Sequence, residues 1–453
     1  MTAVCRSATH ALFTSKSHHI HSMDSSNAPI AKPARVAVAQ QPTGAIQMVP
    51  TSAPAATRQQ QPGEQKAMRI RGGGAAKAAP VKPSRIAAVK FLDVEANKGR
   101  EVAKLQWSVV VQMAIETVLQ TASRADYGFK NIPIIDMEGV DRDTEARQQV
   151  AKDIREACVN VGFFYVKNHD IPEELMFNAL EIGKKFFALS EETKLKYDSR
   201  NTTNLKGYTA FLAENIDPAN RGDLHEGYDI GPEVNSTDPT AKKSIEETYG
   251  TNPWPTEVPG FKEEYMKYYN AVTAFGRKMF PLFALALGID ETFFDNKTKE
   301  TAAVTRIIHY PPQTGPYDDR LMGIGAHTDF ECFTILWQQP EIQTLQVMNA
   351  KQEWVNATPI PDTLVINIGD QLMRWSNDVF KSTVHRAVNR SGIERYSIPT
   401  FFPVDYHTKL EPIPSCVSSE RPARYEVVTA GEYSKNRLDV AYANAVKVRA
   451  VEA

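Results

Sequence analysis

The sequence predicts a mostly β fold with a helical N-terminal part. Three observations carry that expectation. After residue 300, short apolar segments separated by turn residues follow closely, seven in about 100 residues, the spacing of a β-sandwich or jelly roll. Between about residues 144 and 288, apolar positions recur instead at helical spacing. Ahead of both lies a leader too poor in apolar residues to build a core.

The elements follow in order. Residues 1–125 are expected to be a disordered basic leader rich in Pro, Ala and Gln, with "QQQPGEQ" and "RGGGAAKAAPVKP" inside it. Its first 23 residues lack acids and include Arg6 and Lys16, the composition of a mitochondrial transit peptide and equally of a tail with no address. Residues 126–300 form the helical and strand region. Here "IPIIDM" reads as a strand, residues 144–161 as a helix with Val150, Ile154, Ala157, Cys158 and Val161 on one face, and "GFFYVKNHDIP" as a second strand. Residues 173–195 continue as an amphipathic helix and a short one started by the capping box "SEET". Residues 257–288 read as a long helix closed by Gly288. Residues 301–445 hold the strands "TAAVTRIIHY", "CFTILWQ", "TLQVMN", "EWVNATPI", "DTLVINIGD", "STVHRAVN" and "RYSIPTFF". The resulting picture is a helical front half packed on an antiparallel double sheet.

Composition excludes several function classes. The chain of 453 residues has a net charge of −2, but residues 1–90 carry twelve Lys/Arg against two acids, so the remainder is mildly acidic. An acidic body with no basic stripe gives no reason to expect nucleic-acid binding. The stretch "WSVVVQMAIETVL" is too short for a membrane span and is interrupted by Gln112 and Glu116. Cys5, Cys158, Cys332 and Cys416 are scattered without a CxxC pair, which argues against a disulfide framework or a zinc–thiolate site and favours a reducing compartment. The expected location is the cytoplasm, with the mitochondrion as the alternative that the leader suggests.

The chemistry centres on "GAHTDFECFTILW". On a strand, side chains two apart share a face, so His327 and Asp329 would offer an imidazole nitrogen and a carboxylate oxygen to one point. By itself such a pair is more often an ordinary polar turn. His385, on another expected strand 56 residues beyond Asp329, is the third candidate; alone it would be a core histidine. Two histidines and one carboxylate form the facial triad of non-haem Fe(II), which leaves coordination positions open. Ten residues on, Arg395 and Ser397 again share a strand face, and a guanidinium with a neighbouring hydroxyl can clamp a carboxylate. An isolated arginine would be a surface ion pair. Beside the triad it suits the far end of a keto-diacid held on iron.

From about residue 130 to 445 the chain resembles the isopenicillin N synthase-like branch of the 2-oxoglutarate/Fe(II)-dependent dioxygenases, through H-x-D at 327–329, His385 and R-x-S at 395–397. The front-half segments "PIIDM", "GFFYVKNHDI", "FFALSEETK", "GYT", "DLHEGYDIG" and "NPWP" are similar to that family's N-terminal region. The resemblance implies a distorted double-stranded β-helix (jelly roll) core and metal ligands His327, Asp329 and His385. It also implies 2-oxoglutarate contacts from Arg395, Ser397 and, just before the proline of "RIIHYPP", Tyr310. Ile308 stands where many relatives have asparagine, and Thr344 where a glycine is common before "LQV". The implied function is Fe(II)-, O2- and 2-oxoglutarate-dependent oxidation, by hydroxylation or desaturation, of a small organic molecule of the secondary-metabolite kind, with release of succinate and CO2.

Phe333, Leu345, Val347 and Phe401 are expected near the metal, either as shielding or as plain core. Asp223, His225 and Glu226 in "DLHEGYDIG" are candidate polar contacts for the substrate, or members of a turn that satisfies itself. The partner expected is a small molecule, with no nucleic acid or membrane, and the protein is expected to act as a monomer. Three rivals stand beside this reading. One is a same-fold Fe(II) oxidase without 2-oxoglutarate, of the isopenicillin N synthase or aminocyclopropane-carboxylate oxidase type. A zinc hydrolase or isomerase is the second, and would leave R-x-S unexplained. The third is a non-catalytic binder on the same scaffold.

Overall fold

The computed structural model describes residues 128–202, 204–217, 222–233, 250–299, 303–313 and 322–452; the expected leader, residues 1–125, lies outside them. Local signals account for the helices. Asp143 caps α1 (Thr144–Asn160) by accepting a hydrogen bond from the Glu145 amide at 2.8 Å. The buried face of α1 carries Val150, Ala151, Ile154, Ala157 and Cys158. In α2 (Glu173–Phe187), Glu173 and Glu174 occupy the first turn and Lys184 and Lys185 the last, the charge order that the helix dipole favours. Ser190 caps the short α3 (Glu191–Leu195) as the "SEET" pattern predicts. The long α4 (Phe261–Leu287) ends at Gly288, whose φ of 71° is a left-handed cap.

Among the described residues, twelve strands form two sheets. They are β1 (Ile134–Asp136), β2 (Phe163–Lys167), β3 (Gly207–Thr209), β4 (Glu226–Ile230), β5 (Val304–Tyr310), β6 (Ile324–His327), β7 (Phe333–Gln338), β8 (Leu345–Met348), β9 (Trp354–Asn356), β10 (Thr363–Ile368), β11 (His385–Ala387) and β12 (Arg395–Phe402). The larger sheet has the order β1-β2-β10-β7-β12-β5-β4-β3, and the smaller β6-β11-β8-β9. This is the expected jelly-roll core with one correction. The front half does not merely rest on the sheet: it supplies four strands, and β1 pairs β2 in parallel. Helix α1 connects that pair, and a parallel pair needs such a crossover. Strand β2 ("FFYVK") is apolar almost throughout because it is paired on both sides, with β1 and β10.

Alternation on the large sheet separates two environments. Phe333, Ile335 and Trp337 of β7 belong to the main core with α2 and α4, whereas Thr334 and Leu336 face the space between the sheets. Two further helices lie late in the chain: α5 (Asp370–Trp375) directly after β10, and α6 (Ala430–Glu452). Among the described residues no helix is long and apolar enough to cross a membrane, and Cys158, Cys332 and Cys416 are free thiols.

Candidate active site

A cavity of about 240 Å³ lies between the sheets, lined by residues of both. Strand pairing brings the triad together. His385 opens β11 and stands directly opposite His327, the last residue of β6. Asp329 is not on a strand. The chain leaves β6 after His327, and the turn before β7 folds the carboxylate back; the shared strand face expected for His327 and Asp329 is thereby corrected. One donor atom from each of His327, Asp329 and His385 lies within 4.8 Å of the other two. Both Nε2 atoms are 3.5 Å from Asp329 Oδ1.

The neighbours of these side chains decide which atoms are left over. His327 Nδ1 is 2.8 Å from the Gly325 carbonyl and His385 Nδ1 is 3.1 Å from that of Thr383. A carbonyl only accepts, so each Nδ1 carries a proton and each Nε2 is the nitrogen left to face a metal. Asp329 Oδ2 accepts from Asn367 Nδ2 at 2.7 Å and from the Thr334 hydroxyl, which leaves Oδ1 facing the imidazoles. Burial would raise the Asp329 pKa, but the flanking His385 and His327 outweigh it and hold the carboxyl well below its usual range. Asn367 and Thr334 are cross-strand partners on β10 and β7. The sequence reading missed both; the available signal was a lone amide in the apolar run "TLVINI".

Arg395 begins β12 opposite Tyr310 at the end of β5. Its guanidinium lies 4.6 Å from the Tyr310 ring centroid and donates to Ser397 Oγ at 3.0 Å, while that hydroxyl is 3.5 Å from the tyrosine oxygen. Arg395 is 1% exposed, its Nε has no partner, and no carboxylate among the described residues pairs with it. Burial lowers its pKa. A buried arginine without a counter-ion is costly unless an anion arrives. The observed donor sets therefore suit both implied groups: two imidazole Nε2 atoms and a carboxylate oxygen for iron, and a guanidinium without an acid partner beside a hydroxyl for a diacid.

Other expected residues divide. Leu345 and Phe401 line the cavity; Phe333 and Val347 do not. Phe333 faces the helices instead, stacked on Phe402 with centroids 4.8 Å apart and edge-on to Phe280 at 5.0 Å. Glu226 points away from the cavity into a network with Lys194, Tyr208 and His309, at 2.6, 2.7 and 2.8 Å. Asp223 reaches the wall, but its two oxygens accept the Gly325 and Ile216 amides at 2.8 and 3.0 Å. His225 also lines the cavity, with its Nδ1 2.8 Å from the Gly323 carbonyl and its Nε2 3.6 Å from Glu214 Oε2.

The comparisons agree with this geometry. Residues 132–257 match the family model "non-haem dioxygenase in morphine synthesis N-terminal", and residues 301–403 match "2OG-Fe(II) oxygenase superfamily". A 2-oxoglutarate-Fe(II) type oxidoreductase of Emericella nidulans is 35% identical over 308 residues, 67% of this chain and 88% of the relative. The chain belongs to the 2-oxoglutarate/Fe(II)-dependent oxygenases. This oxygenase is also 35% identical to a homoarginine-6-hydroxylase of rice over 321 residues, 67% of this chain and 95% of that one. Among solved structures it is similar to a full-length Neurospora crassa protein in complex with alpha-KG and thymine, with a TM-score of 0.61 and 29% identity over 70% of this chain and 99% of that one.

The oxygenase has a second polar group on the cavity wall that the sequence reading did not single out. Arg306 on β5 donates to Asp229 Oδ1 at 2.7 Å and to the two oxygens of Glu214 at 2.7 and 3.1 Å. Asp229 and Arg306 are register partners on β4 and β5. Burial raises the Glu214 pKa, but Arg306 outweighs it and holds the carboxyl well below its usual range; for Asp229, burial prevails over Arg306 and raises the pKa.

Proposed function

We propose that this oxygenase binds Fe(II) through His327, Asp329 and His385 and grips the far carboxylate of 2-oxoglutarate with Arg395, Ser397 and Tyr310. It then oxidises a small organic molecule, by hydroxylation or desaturation. The observation that carries the reading is the pairing of two features in one cavity: three ligand atoms within 4.8 Å, and a buried guanidinium with no acid partner. The second feature suits a 2-oxoglutarate enzyme, since the far carboxylate of the co-substrate supplies the anion that this guanidinium lacks; in an oxidase without the co-substrate a carboxylate of the substrate itself would have to take that place, and succinate release separates the two. Relatives support a small substrate: one solved neighbour holds thymine and another relative is named for homoarginine.

When bound, iron and 2-oxoglutarate supply the oxidising chemistry, with succinate and CO2 as the co-products. The chain's residues do the positioning. The Gly325 and Thr383 carbonyls hold both imidazoles in the tautomer that presents Nε2. Asn367 and Thr334 turn one Asp329 oxygen toward the same point. Ser397 and Tyr310 fix the plane of the Arg395 guanidinium, so the keto-diacid arrives in one orientation. Phe163, Ile308, Leu336, Leu345 and Phe401 line the cavity with apolar surface and keep water from the reacting centre.

The test is anaerobic addition of Fe(II) and 2-oxoglutarate, followed through the visible metal-to-ligand charge-transfer band. His327→Ala, Asp329→Ala and His385→Ala are each expected to abolish the band. Arg395→Ala should weaken 2-oxoglutarate binding by about 2–5 kcal/mol with iron affinity little changed. Full colour and turnover in all four variants would end the reading.

A further inference from the structure

We propose that Lys206 anchors the substrate: its buried ammonium, at the end of the cavity away from the 2-oxoglutarate clamp, receives a carboxylate of the molecule to be oxidised. The inference rests on the iron and 2-oxoglutarate reading above, and adds to it the substrate's chemical class, a small organic acid.

Among the described residues, the cavity wall carries four Lys and Arg side chains, and three are accounted for. Arg395 serves the co-substrate. Arg306 donates to Asp229 and Glu214, and Arg386 donates to Gln346 Oε1 at 2.9 Å with its guanidinium 3.9 Å from the Trp354 ring centroid. Lys206 is the fourth. It is 3% exposed, and its Nζ has no hydrogen-bond partner. The acid that acts on it, Glu233, is engaged elsewhere: Oε1 accepts from Asn252 Nδ2 at 2.8 Å and Trp254 Nε1 at 3.1 Å, and Oε2 from Lys262 Nζ at 2.7 Å. Burial pushes the Lys206 pKa down to about 8, with Glu233 opposing, so near neutrality the side chain is still mostly an ammonium. A buried ammonium without a counter-ion is costly, and an arriving anion removes the cost. A neutral oxygen, as in an amide, accepts a hydrogen bond but leaves the charge unpaired; a carboxylate supplies both.

The fold fixes where that ammonium lies. Lys206 comes just before β3, and its side chain crosses over Gly231, the residue after β4: a Cβ built on Gly231 would come within 2.5 Å of Lys206 Cε and 2.6 Å of Nζ. The missing side chain at Gly231 is the room that the ammonium occupies. Asp229 pairs with Arg306 and Ile230 with Thr305, so Gly231 comes level with Val304 at the start of β5. Tyr310, of the 2-oxoglutarate clamp, ends the same strand. Val304, Arg306, Ile308 and Tyr310 all line the cavity, so one face of β5 runs from the clamp to Lys206. Six residues of strand span roughly 20 Å, too far for one five-carbon keto-diacid to touch both ends. With 2-oxoglutarate at Arg395, Lys206 is left for a second molecule. Its carboxylate is held away from the clamp, and the carbon that is oxidised lies several bonds along from it.

The cavity of about 240 Å³ must also admit the co-substrate, so the acid is small. The test is a panel of small monocarboxylic acids and their matching primary amides, titrated anaerobically into the full-length enzyme loaded with Fe(II) and saturating 2-oxoglutarate, so that the Arg395 clamp is filled. Ligand-observed NMR reports binding. Acids are expected to bind the wild type about tenfold more tightly than their amides. Lys206→Met keeps the length of the side chain without its charge, so it should erase that preference while 2-oxoglutarate affinity and the charge-transfer band stay as they were. Because it also removes an unpaired buried ion, the melting temperature should hold or rise, which loss of a merely structural lysine would not give. Gly231→Ala leaves the charge but displaces the ammonium; it should weaken the acids and spare the amides, and it decides the matter should Lys206→Met fail to fold. The inference is overturned if no acid binds, if acids bind the wild type no better than amides, or if the preference survives in the variants. A normal charge-transfer band accompanying any of those results confines the failure to this subsite; a missing wild-type band would instead remove the iron and 2-oxoglutarate reading beneath it.

Discussion

Asp329 can offer one oxygen to the two histidines because its other oxygen is held. Asn367 Nδ2 and the Thr334 hydroxyl both donate to Oδ2, and they sit side by side on β10 and β7. Removing one leaves the carboxylate free to swing, and partners of this kind set metal affinity by about 10- to 100-fold. Asn367→Ala is therefore expected to weaken Fe(II) binding by that order while leaving 2-oxoglutarate affinity in the loaded enzyme nearly unchanged. Anaerobic iron titration, with the charge-transfer band as reporter, measures both. An unchanged iron affinity would mean that the turn after β6 orients Asp329 unaided. At this scale the candidates His327, Asp329, His385, Arg395, Ser397 and Tyr310 were all legible as residue types at suggestive spacings. Their supports were not: Asn367 lies 38 residues from Asp329, and nothing local marks it as a donor to that carboxylate.

At the scale of elements, the main core depends on how closely α4 lies on the large sheet. Gly276, inside α4, allows the close approach: a Cβ built there would come within 2.1 Å of the Phe402 ring. Phe402 is in turn stacked on Phe333. Gly276→Ala improves helix propensity by about 1 kcal/mol, yet the overpacking it forces costs about 1–3 kcal/mol, so a net loss of stability is expected. Denaturant unfolding checks the sign, and a gain in stability would show that the Phe402 ring gives way freely. Helix α6 closes the other side. Tyr433 donates to Asp370 Oδ2 at 2.8 Å, Arg437 pairs with the same carboxylate at 3.1 Å and lies over the Phe330 ring, and Leu438 and Ala441 line the cavity. The helices at 144–160 and 261–287 were legible from apolar spacing and glycine stops, and the seven late strands from alternation. Strand β6 was not, because "IGAH" is too short and too mixed to show a period.

For the whole molecule, iron is a cross-link as well as a cofactor, since its proposed ligands come from two strands of the small sheet and from the turn that leads into the large one. A ligand that binds only the folded state stabilises it by about 4 kcal/mol when present at a thousand times its Kd. Anaerobic Fe(II) is thus expected to raise the melting temperature, a chelator to reverse the rise, and Asp329→Ala to abolish it. An identical metal response in that variant would place the stabilising site elsewhere. The sequence by itself determined the fold class, the iron triad and the arginine clamp as candidates, because strand alternation and side-chain chemistry are local properties of the chain. Tertiary structure alone decided that four front-half strands complete the large sheet, that Phe333 serves the core and not the cavity, and that Arg306 is paired with Glu214 and Asp229. Each of those depends on which strands pair and in what register, which long-range burial sets, and in the sequence Glu214 and Arg306 stand 92 positions apart.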